Sequence, residues 1–230
     1  MHKRYFGLIA CMLVSVGSFF SPHLLASELE VFLSQQSIRS RIADTYGDKA
    51  IKRIDALITT LQNASVMSQK QKLEEVNNFF NMLVYAQDQK LWGKNDYWAS
   101  PLEFVGAKGG DCEDYSIAKY YSLMELGIAE EQLRLVYVKA VKYNQFHMVL
   151  AYYPSRRANP LILDNLEYDI IPASRRKDLL PVYSFNAKHL WVMGKAKKGE
   201  PVGSSDKLSE WKSVKSRFSG ATLKSPRTVL

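Results

Sequence analysis

Three residues of the sequence could together form a cysteine nucleophile with its base and an orienting acid: Cys112, His147 and Asp164. Cys112 lies at the start of a predicted helix, where unpaired backbone N–H groups and the helix dipole favour a thiolate. Histidine suits the base, because its pKa allows it to take the thiol proton and return it to a leaving amine. His147 opens one predicted strand and Asp164 ends the next, so the carboxylate could fix the imidazole tautomer. Taken singly, such a histidine is more often structural, and such an aspartate more often caps a turn.

Acidic side chains flank the predicted nucleophile: Asp111 precedes Cys112, and Glu113 and Asp114 follow it. A carboxylate about 5 Å from a thiolate, in an effective dielectric near 20, disfavours the thiolate by roughly 3 kcal/mol, or about two pKa units. The acids could simply cap the helix and favour its first turn. Alternatively, they could hold a cation that offsets their charge. Composition alone favours capping and leaves both explanations open.

The N-terminus has the pattern of an export signal. After the basic start MHKR comes the apolar run YFGLIACMLVSVGSFF and then SPHLLAS, which predicts a signal peptide over residues 1–26. Retention as a membrane anchor stays open, since Leu24, at the third position before the cleavage site, is larger than a signal peptidase usually prefers. The segment LIAC, residues 8–11, leaves acylation at Cys11 open as a third possibility. If Cys11 leaves with the signal, Cys112 is the lone thiol and no internal disulfide can form. Such a thiol is either buried packing or a reactive group.

Helices are predicted before the three residues, and strands after Cys112. Apolar residues recur at helical spacing over 51–61 and 73–83, with Ser68 placed to cap the second helix. Residues 92–110 lose this periodicity and collect Gly, Pro, Asn and Asp, which predicts a long loop. The helix of Cys112 then ends at Gly127.

The strands are predicted from short runs rich in β-branched and aromatic residues, separated by turn-like segments. These runs cover residues 133–141, 147–153 and 160–164, and residues 181–194 could add one or two more strands. The pattern predicts an α+β fold with helices packed on one side of an antiparallel sheet, and with the site at their junction.

The net charge of +8 is concentrated near the C-terminus, because residues 195–230 hold nine Lys or Arg and three Asp or Glu. This predicts a basic, flexible tail after a domain that spans residues 27–194. Within the tail, residues 204–218 could form a short amphipathic helix. The body shows no stripe of basic and aromatic side chains, which argues against a nucleic-acid-binding protein.

The residues around the three positions resemble those of a known family. The matching segments are GGDCEDYSIAKYYSL, FHMVLAYY, LILDNL and, upstream, NDYWASPLEF. Together they resemble the bacterial transglutaminase-like cysteine proteinase family over about residues 76–191, and in particular its periplasmic members that release large biofilm adhesins from the outer membrane. The resemblance implies a papain-like fold of the transglutaminase variety. It also implies that Cys112 is the nucleophile, His147 the general base and Asp164 its partner.

The same resemblance implies Ca²⁺ as a cofactor, with Asp111 and Glu113 at the metal site. It further implies a periplasmic location and, as substrate, the N-terminal region of a large surface adhesin. An inner-membrane receptor that senses cyclic di-GMP would sequester the protease. Two other functions stay open: a periplasmic acyl transferase or peptidoglycan amidase that uses the same three residues, and a noncatalytic periplasmic adaptor.

Overall fold

A computed structural model describes residues 28–192, 200–217 and 222–230. The predicted signal peptide, residues 1–26, lies outside the described residues. Within those ranges, no helix is both long enough and apolar enough to span a bilayer.

Most of the helices precede the sheet, as the apolar periodicity predicts. The cap predicted at Ser68 is confirmed: its hydroxyl accepts the N–H of Gln71, whose side chain bonds back to the Ser68 backbone. The α-helices of the described ranges are α1 (Glu28–Ser34), α2 (Gln36–Tyr46), α3 (Asp48–Ser65), α4 (Gln69–Asn81), α5 (Asp88–Leu91), α6 (Pro101–Ala107), α7 (Cys112–Glu125) and α8 (Ser209–Arg217).

A seven-stranded antiparallel sheet follows α7 in the chain, and its strand order is β6-β5-β4-β3-β7-β8-β9. A separate pair of two-residue strands, β1 and β2, is parallel. The predicted strands and the α+β class are therefore confirmed. The strands are β1 (Val84–Tyr85), β2 (Gly109–Gly110), β3 (Leu133–Ala140), β4 (Gln145–Tyr152), β5 (Leu161–Leu163), β6 (Ile171–Pro172), β7 (Leu179–Phe185), β8 (His189–Val192) and β9 (Gly203–Ser204).

The two faces of the sheet bury different sets of side chains. Met148 and Leu150 of β4 join the large core formed with the helices, and α7 packs across β3 and β4. Val149 and Ala151 point the other way into a smaller cluster. This alternation follows from the period of two along a strand. The helix that begins at Cys112, α7, therefore packs directly on the strand that carries His147.

The loop predicted over residues 92–110 is wrong for part of that range, because residues 101–107 form α6. The Ser100 hydroxyl accepts the Glu103 N–H, the Glu103 carboxylate accepts the Ser100 N–H at 2.8 Å, and Pro101 occupies the first helical position. A helix of seven residues spans about two turns, too few for its apolar period to show.

The structure also differs from the predicted flexible tail. The predicted amphipathic helix is present as α8, with Trp211 and Val214 fully buried against the core. Arg217 pairs with the buried carboxylate of Glu103. Further on, the Arg227 N–H donates to the Leu91 carbonyl at 2.7 Å. The basic residues of this region therefore serve internal contacts as well as solvation.

Candidate functional site

Cys112 begins α7 and is held there by the carboxylate of Asp114. That carboxylate accepts the backbone N–H of Asp111 at 3.2 Å and the N–H of Ala99 at 2.6 Å. A Cβ atom at Gly110 would lie 2.0 Å from the Asp114 Oδ2, so only glycine lets the chain pass this close. Asp114 thus acts as a cap that also joins the helix start to the preceding loop.

His147 and Asp164 form a buried pair across neighbouring strands. His147 lies on β4 and Asp164 directly follows β5; the His147 Nε2 is 2.7 Å from the Asp164 Oδ1. Asp164 also accepts the Leu166 N–H at 3.0 Å and an Arg176 N–H at 2.8 Å. Burial by itself would raise the pKa of Asp164, but the bonds from His147, Leu166 and Arg176 lower it to about 2. The carboxylate is therefore a fixed anion that orients the imidazole.

The thiol of Cys112 lies beside β4, the strand that carries His147. The backbone N–H of Met148, the residue after His147, points to the sulfur. The Ser116 hydroxyl bonds both the Cys112 carbonyl, at 2.9 Å, and the Met148 carbonyl, at 3.0 Å. The structure thus brings α7 and β4 together at the predicted residues.

The hydrogen bond described for the thiol goes to its own helix and not to the imidazole. Cys112 donates to the Glu113 Oε2 at 3.1 Å, and no described hydrogen bond joins its sulfur to His147. Since the Nε2 of His147 is taken by Asp164, the Nδ1 is the nitrogen left to serve the thiol.

An acidic cluster surrounds the start of α7. Its possible ligand atoms fall into three groups, each with all atoms within 4.8 Å of one another. Asp88 Oδ1 and Asp111 Oδ1 are buried and have no hydrogen-bond partner, and such orphaned atoms need a proton, a water or an ion. The groups are Asp111, Cys112 and Glu113; Asp88, Asp111 and Asp114; and Asp88, Asp96 and Glu113.

Burial and crowding raise the pKa values of Asp88, Asp96 and Asp111 in this cluster. Burial, followed by the charge of Glu113, raises the pKa of Asp88 to about 7 and also raises that of Asp111. Burial, Glu113 and Asp111 raise the pKa of the Cys112 thiol well above its usual value. Clustered hard oxygen donors with unpaired atoms suit a calcium ion. These acidic groups could therefore hold a metal ion, and the predicted Asp111 and Glu113 lie among them.

Sequence reasoning missed Asp88 and Asp96. The parallel pairing of β1 with β2 places Val84 opposite Gly109, which brings the start of α5 beside the start of α7. In the sequence, Asp88 is one acid at the start of a short helix, and Asp96 one polar residue of a loop. Nothing in their local pattern distinguishes them from ordinary capping or surface acids.

Similar proteins are found among known families and solved structures. Residues 54–196 match the profile of the family described as bacterial transglutaminase-like cysteine proteinase (BTLCP). Solved structures of Legionella pneumophila LapG are similar: the EGTA-treated form has 41% identity and a TM-score of 0.70, over 79% of this chain and 96% of that one. A second LapG structure gives 40% and 0.69 over the same shares, and the calcium-bound form 40% and 0.67 over 79% and 97%. No curated protein sequence gives a significant match.

Proposed function

The chain belongs to the bacterial transglutaminase-like cysteine proteinase family and is a cysteine protease; from that premise we propose that it is a calcium-dependent endopeptidase of the periplasm. The observation that carries the proposal is the buried His147–Asp164 pair, whose neighbour Met148 directs its backbone N–H to the sulfur of Cys112.

In the proposed reaction, the sulfur of Cys112 attacks the carbonyl carbon of the scissile peptide bond as His147 takes the thiol proton. His147 then gives that proton to the departing amine, and a thioester remains on Cys112. Water, deprotonated by His147, attacks the thioester carbonyl and releases the new carboxyl end, and the departing sulfur of Cys112 takes the proton back from His147. Asp164 keeps the imidazole in one tautomer and stabilises its charged form. The backbone N–H of Cys112 is a natural donor to the oxyanion.

Asp88, Asp96, Asp111 and Glu113 are the residues that would hold calcium in this proposal, while Asp114 keeps its capping bonds. Bound there, the ion would supply positive charge beside the thiol and would order the turn that carries it. Glu113 belongs to two of the acidic groups and also accepts a hydrogen bond from the Cys112 thiol. The order and ionisation of Cys112 therefore depend on what Glu113 binds. A calcium-bound LapG among the similar structures supports this choice of metal.

The substrate we propose is the N-terminal region of a large surface adhesin, whose cleavage releases it from the outer membrane and so ends biofilm attachment. The partner we propose is an inner-membrane cyclic-di-GMP receptor that sequesters the protease. Both rest on the resemblance of the site motifs to adhesin-releasing members of the family. Export by the N-terminal segment, residues 1–26, belongs to the same proposal.

The proposal is tested by adding the purified chain to cells that display such an adhesin and sequencing the N-terminus of the released protein. We expect one new N-terminus, absent when Cys112→Ala replaces the wild type and absent in EGTA. The Cys112→Ala variant must keep the wild-type melting temperature, so that loss of cleavage reports on chemistry. Release by Cys112→Ala at the wild-type rate would favour the adaptor instead, and an amine adduct without hydrolysis would favour the acyl transferase.

A further inference from the structure

A buried lysine lies on the helix of the nucleophile, two turns beyond it. Lys119 follows Cys112 by seven residues, so both side chains project from the same side of α7. Only 1% of Lys119 is exposed. Its Nζ donates to the Asn81 Oδ1 at 2.7 Å. Neither residue takes part in the reaction proposed above.

Asn81 extends this contact to the acid of the site. It is the last residue of α4, and its Nδ2 donates to the backbone carbonyl of Asp164 at 2.9 Å. Asn81 and Asp164 are buried as well. Two hydrogen bonds therefore connect the helix of Cys112 to the residue that orients His147. We call Lys119 and Asn81 the Lys119–Asn81 tie.

The tie is costly for a purely structural contact. A buried ammonium group loses its hydration, and burial lowers the pKa of Lys119 to about 7 although the charge of Asp164 acts in the opposite direction. Well-packed apolar side chains of similar volume would fill the same space without that cost. A lysine at this position is better explained by its bond to Asn81, which in turn bonds the Asp164 carbonyl.

We propose that Lys119 and Asn81 are positioning residues that hold Asp164, and through it His147, at a fixed place relative to Cys112. The inference rests on the proposed function. Cys112 and Lys119 share one rigid helix, so a tether at Lys119 fixes the Asp164 carbonyl in the frame of the nucleophile. The bond from Asp164 to the His147 Nε2 then passes this placement on to the imidazole. A displacement of about 1 Å between reacting groups can cost about 100-fold in rate.

The chain offers a matched control in a second lysine bond between the same two helices. Lys72 of α4 donates its Nζ to the carbonyl of Leu126, just beyond the far end of α7, at 2.8 Å. Lys72→Met therefore removes a lysine bond between α4 and α7 that lies away from Asp164. Lys119→Met removes one that reaches the site.

The experiment measures two rates in calcium at neutral pH: alkylation of Cys112 by iodoacetamide, and kcat and KM for a peptide substrate. It compares the wild type, His147→Ala, Lys119→Met, Lys72→Met and the double variant Asn81→Leu with Lys119→Met. The double variant removes the amide oxygen that Lys119→Met alone leaves buried without a donor, so it should restore part of the stability lost by the single change, while the Asp164 carbonyl loses its bond to Asn81. We expect kcat and the alkylation rate to fall about tenfold in both tie variants, with KM unchanged, and Lys72→Met to match the wild type.

The outcomes separate the tie from the proposed function. A double variant that melts at a higher temperature than Lys119→Met and yet stays about tenfold slow supports positioning. Wild-type rates in the double variant overturn the tie alone, as does an equal loss in Lys72→Met. If Cys112 is alkylated as fast in His147→Ala as in the wild type, the proposed nucleophile–base pair is overturned, and the tie with it.

Discussion

The site has two parts, the surroundings of Asp164 and the acidic cluster at the start of α7, and they shift the pKa values of their carboxylates in opposite directions. At the Asp164 corner, one carboxylate is surrounded by donors from His147, Leu166 and Arg176, and its pKa falls to about 2. Around the start of α7, several carboxylates crowd together, two of their oxygens have no partner, and the pKa of Asp88 rises to about 7.

This difference indicates which half is complete by itself. The Asp164 corner carries its own positive charge in Arg176, so the fold alone sets its protonation state. The acidic cluster lacks such a partner among the contacts described for it, and its charge balance is left to protons or a cation. In the proposed mechanism, the fold itself thus orients His147, whereas the ionisation of the Cys112 thiol can be controlled by a bound ion.

The largest effect should come from a change at Asp164, in the part of the site whose charge the fold balances by itself. Asp164→Asn removes the anion that fixes the tautomer of His147, and we expect kcat to fall about 1,000-fold. Peptide hydrolysis in saturating calcium measures it. Asp169→Asn, at an exposed carboxylate five residues later, is the control and should leave kcat unchanged. A loss below about tenfold in Asp164→Asn would mean that Asp164 does not orient the base.

The ion-dependent half is tested by removing the ion. In EGTA, the acids beside Cys112 should oppose the thiolate by about two pKa units, so we expect iodoacetamide to react about 100-fold more slowly than in calcium. Mass spectrometry of the alkylated chain follows the reaction. Asp88→Asn should raise the calcium concentration needed for half of the effect. Equal rates in calcium and EGTA would rule out control of the thiol by the ion.

A smaller effect should follow from weakening the charge balance at Asp164. Arg176→Met removes one charge-assisted hydrogen bond from that carboxylate, and we expect kcat to fall about tenfold. Asp178→Asn is the matched control, because Asp178 holds the same guanidinium from its exposed side at 2.8 Å. That variant should lose less than about threefold. The comparison fails if Asp178→Asn proves as damaging as Arg176→Met.

The smallest expected effect is a contrast in pH-dependent stability. Asp164 has a lowered pKa, so its contribution of about 2 kcal/mol is present above about pH 4 and is lost as the pH falls towards 2. Asp88 has a raised pKa, so in EGTA the unfolded state loses this proton first and stability declines as the pH rises from about 4 to about 7.

Urea unfolding from pH 2 to pH 8, with EGTA and with calcium, measures both trends. Calcium should remove the decline that is due to Asp88, and Asp88→Asn should remove it without calcium. A decline that persists unchanged in Asp88→Asn would assign it to other groups.

The sequence allowed the fold class and the candidate nucleophile, base and acid to be predicted because each has a local signal. Cys112 stands at a helix start, and His147 and Asp164 stand at the ends of predicted strands. Arg176 has no such signal, since it follows a short turn of the 3-10 type and reaches Asp164 only through the pairing of β5 with β6. Asp88 depends in the same way on a two-residue strand pair. The positions of Arg176 and Asp88 both depend on strand pairing in the folded protein, which no periodicity of the sequence predicts.

The C-terminal region was predicted as a flexible tail from its average charge, which does not show that a few of its residues pack against the domain. Trp211 stacks on Tyr121 of α7 at 5.7 Å between ring centroids. Arg217 donates to the Tyr97 hydroxyl and the Trp98 carbonyl as well as to Glu103. A count of Lys and Arg treats the Arg217 side chain as solvated, although these three contacts are internal.

The buried position of α8 has a consequence for folding. Trp211 packs on the back of α7, and Arg217 bonds the loop that carries Trp98, although both residues lie far beyond Cys112 in the sequence. The helix that begins at Cys112 therefore becomes fully packed only after contacts of long sequence separation have formed, and such contacts slow folding.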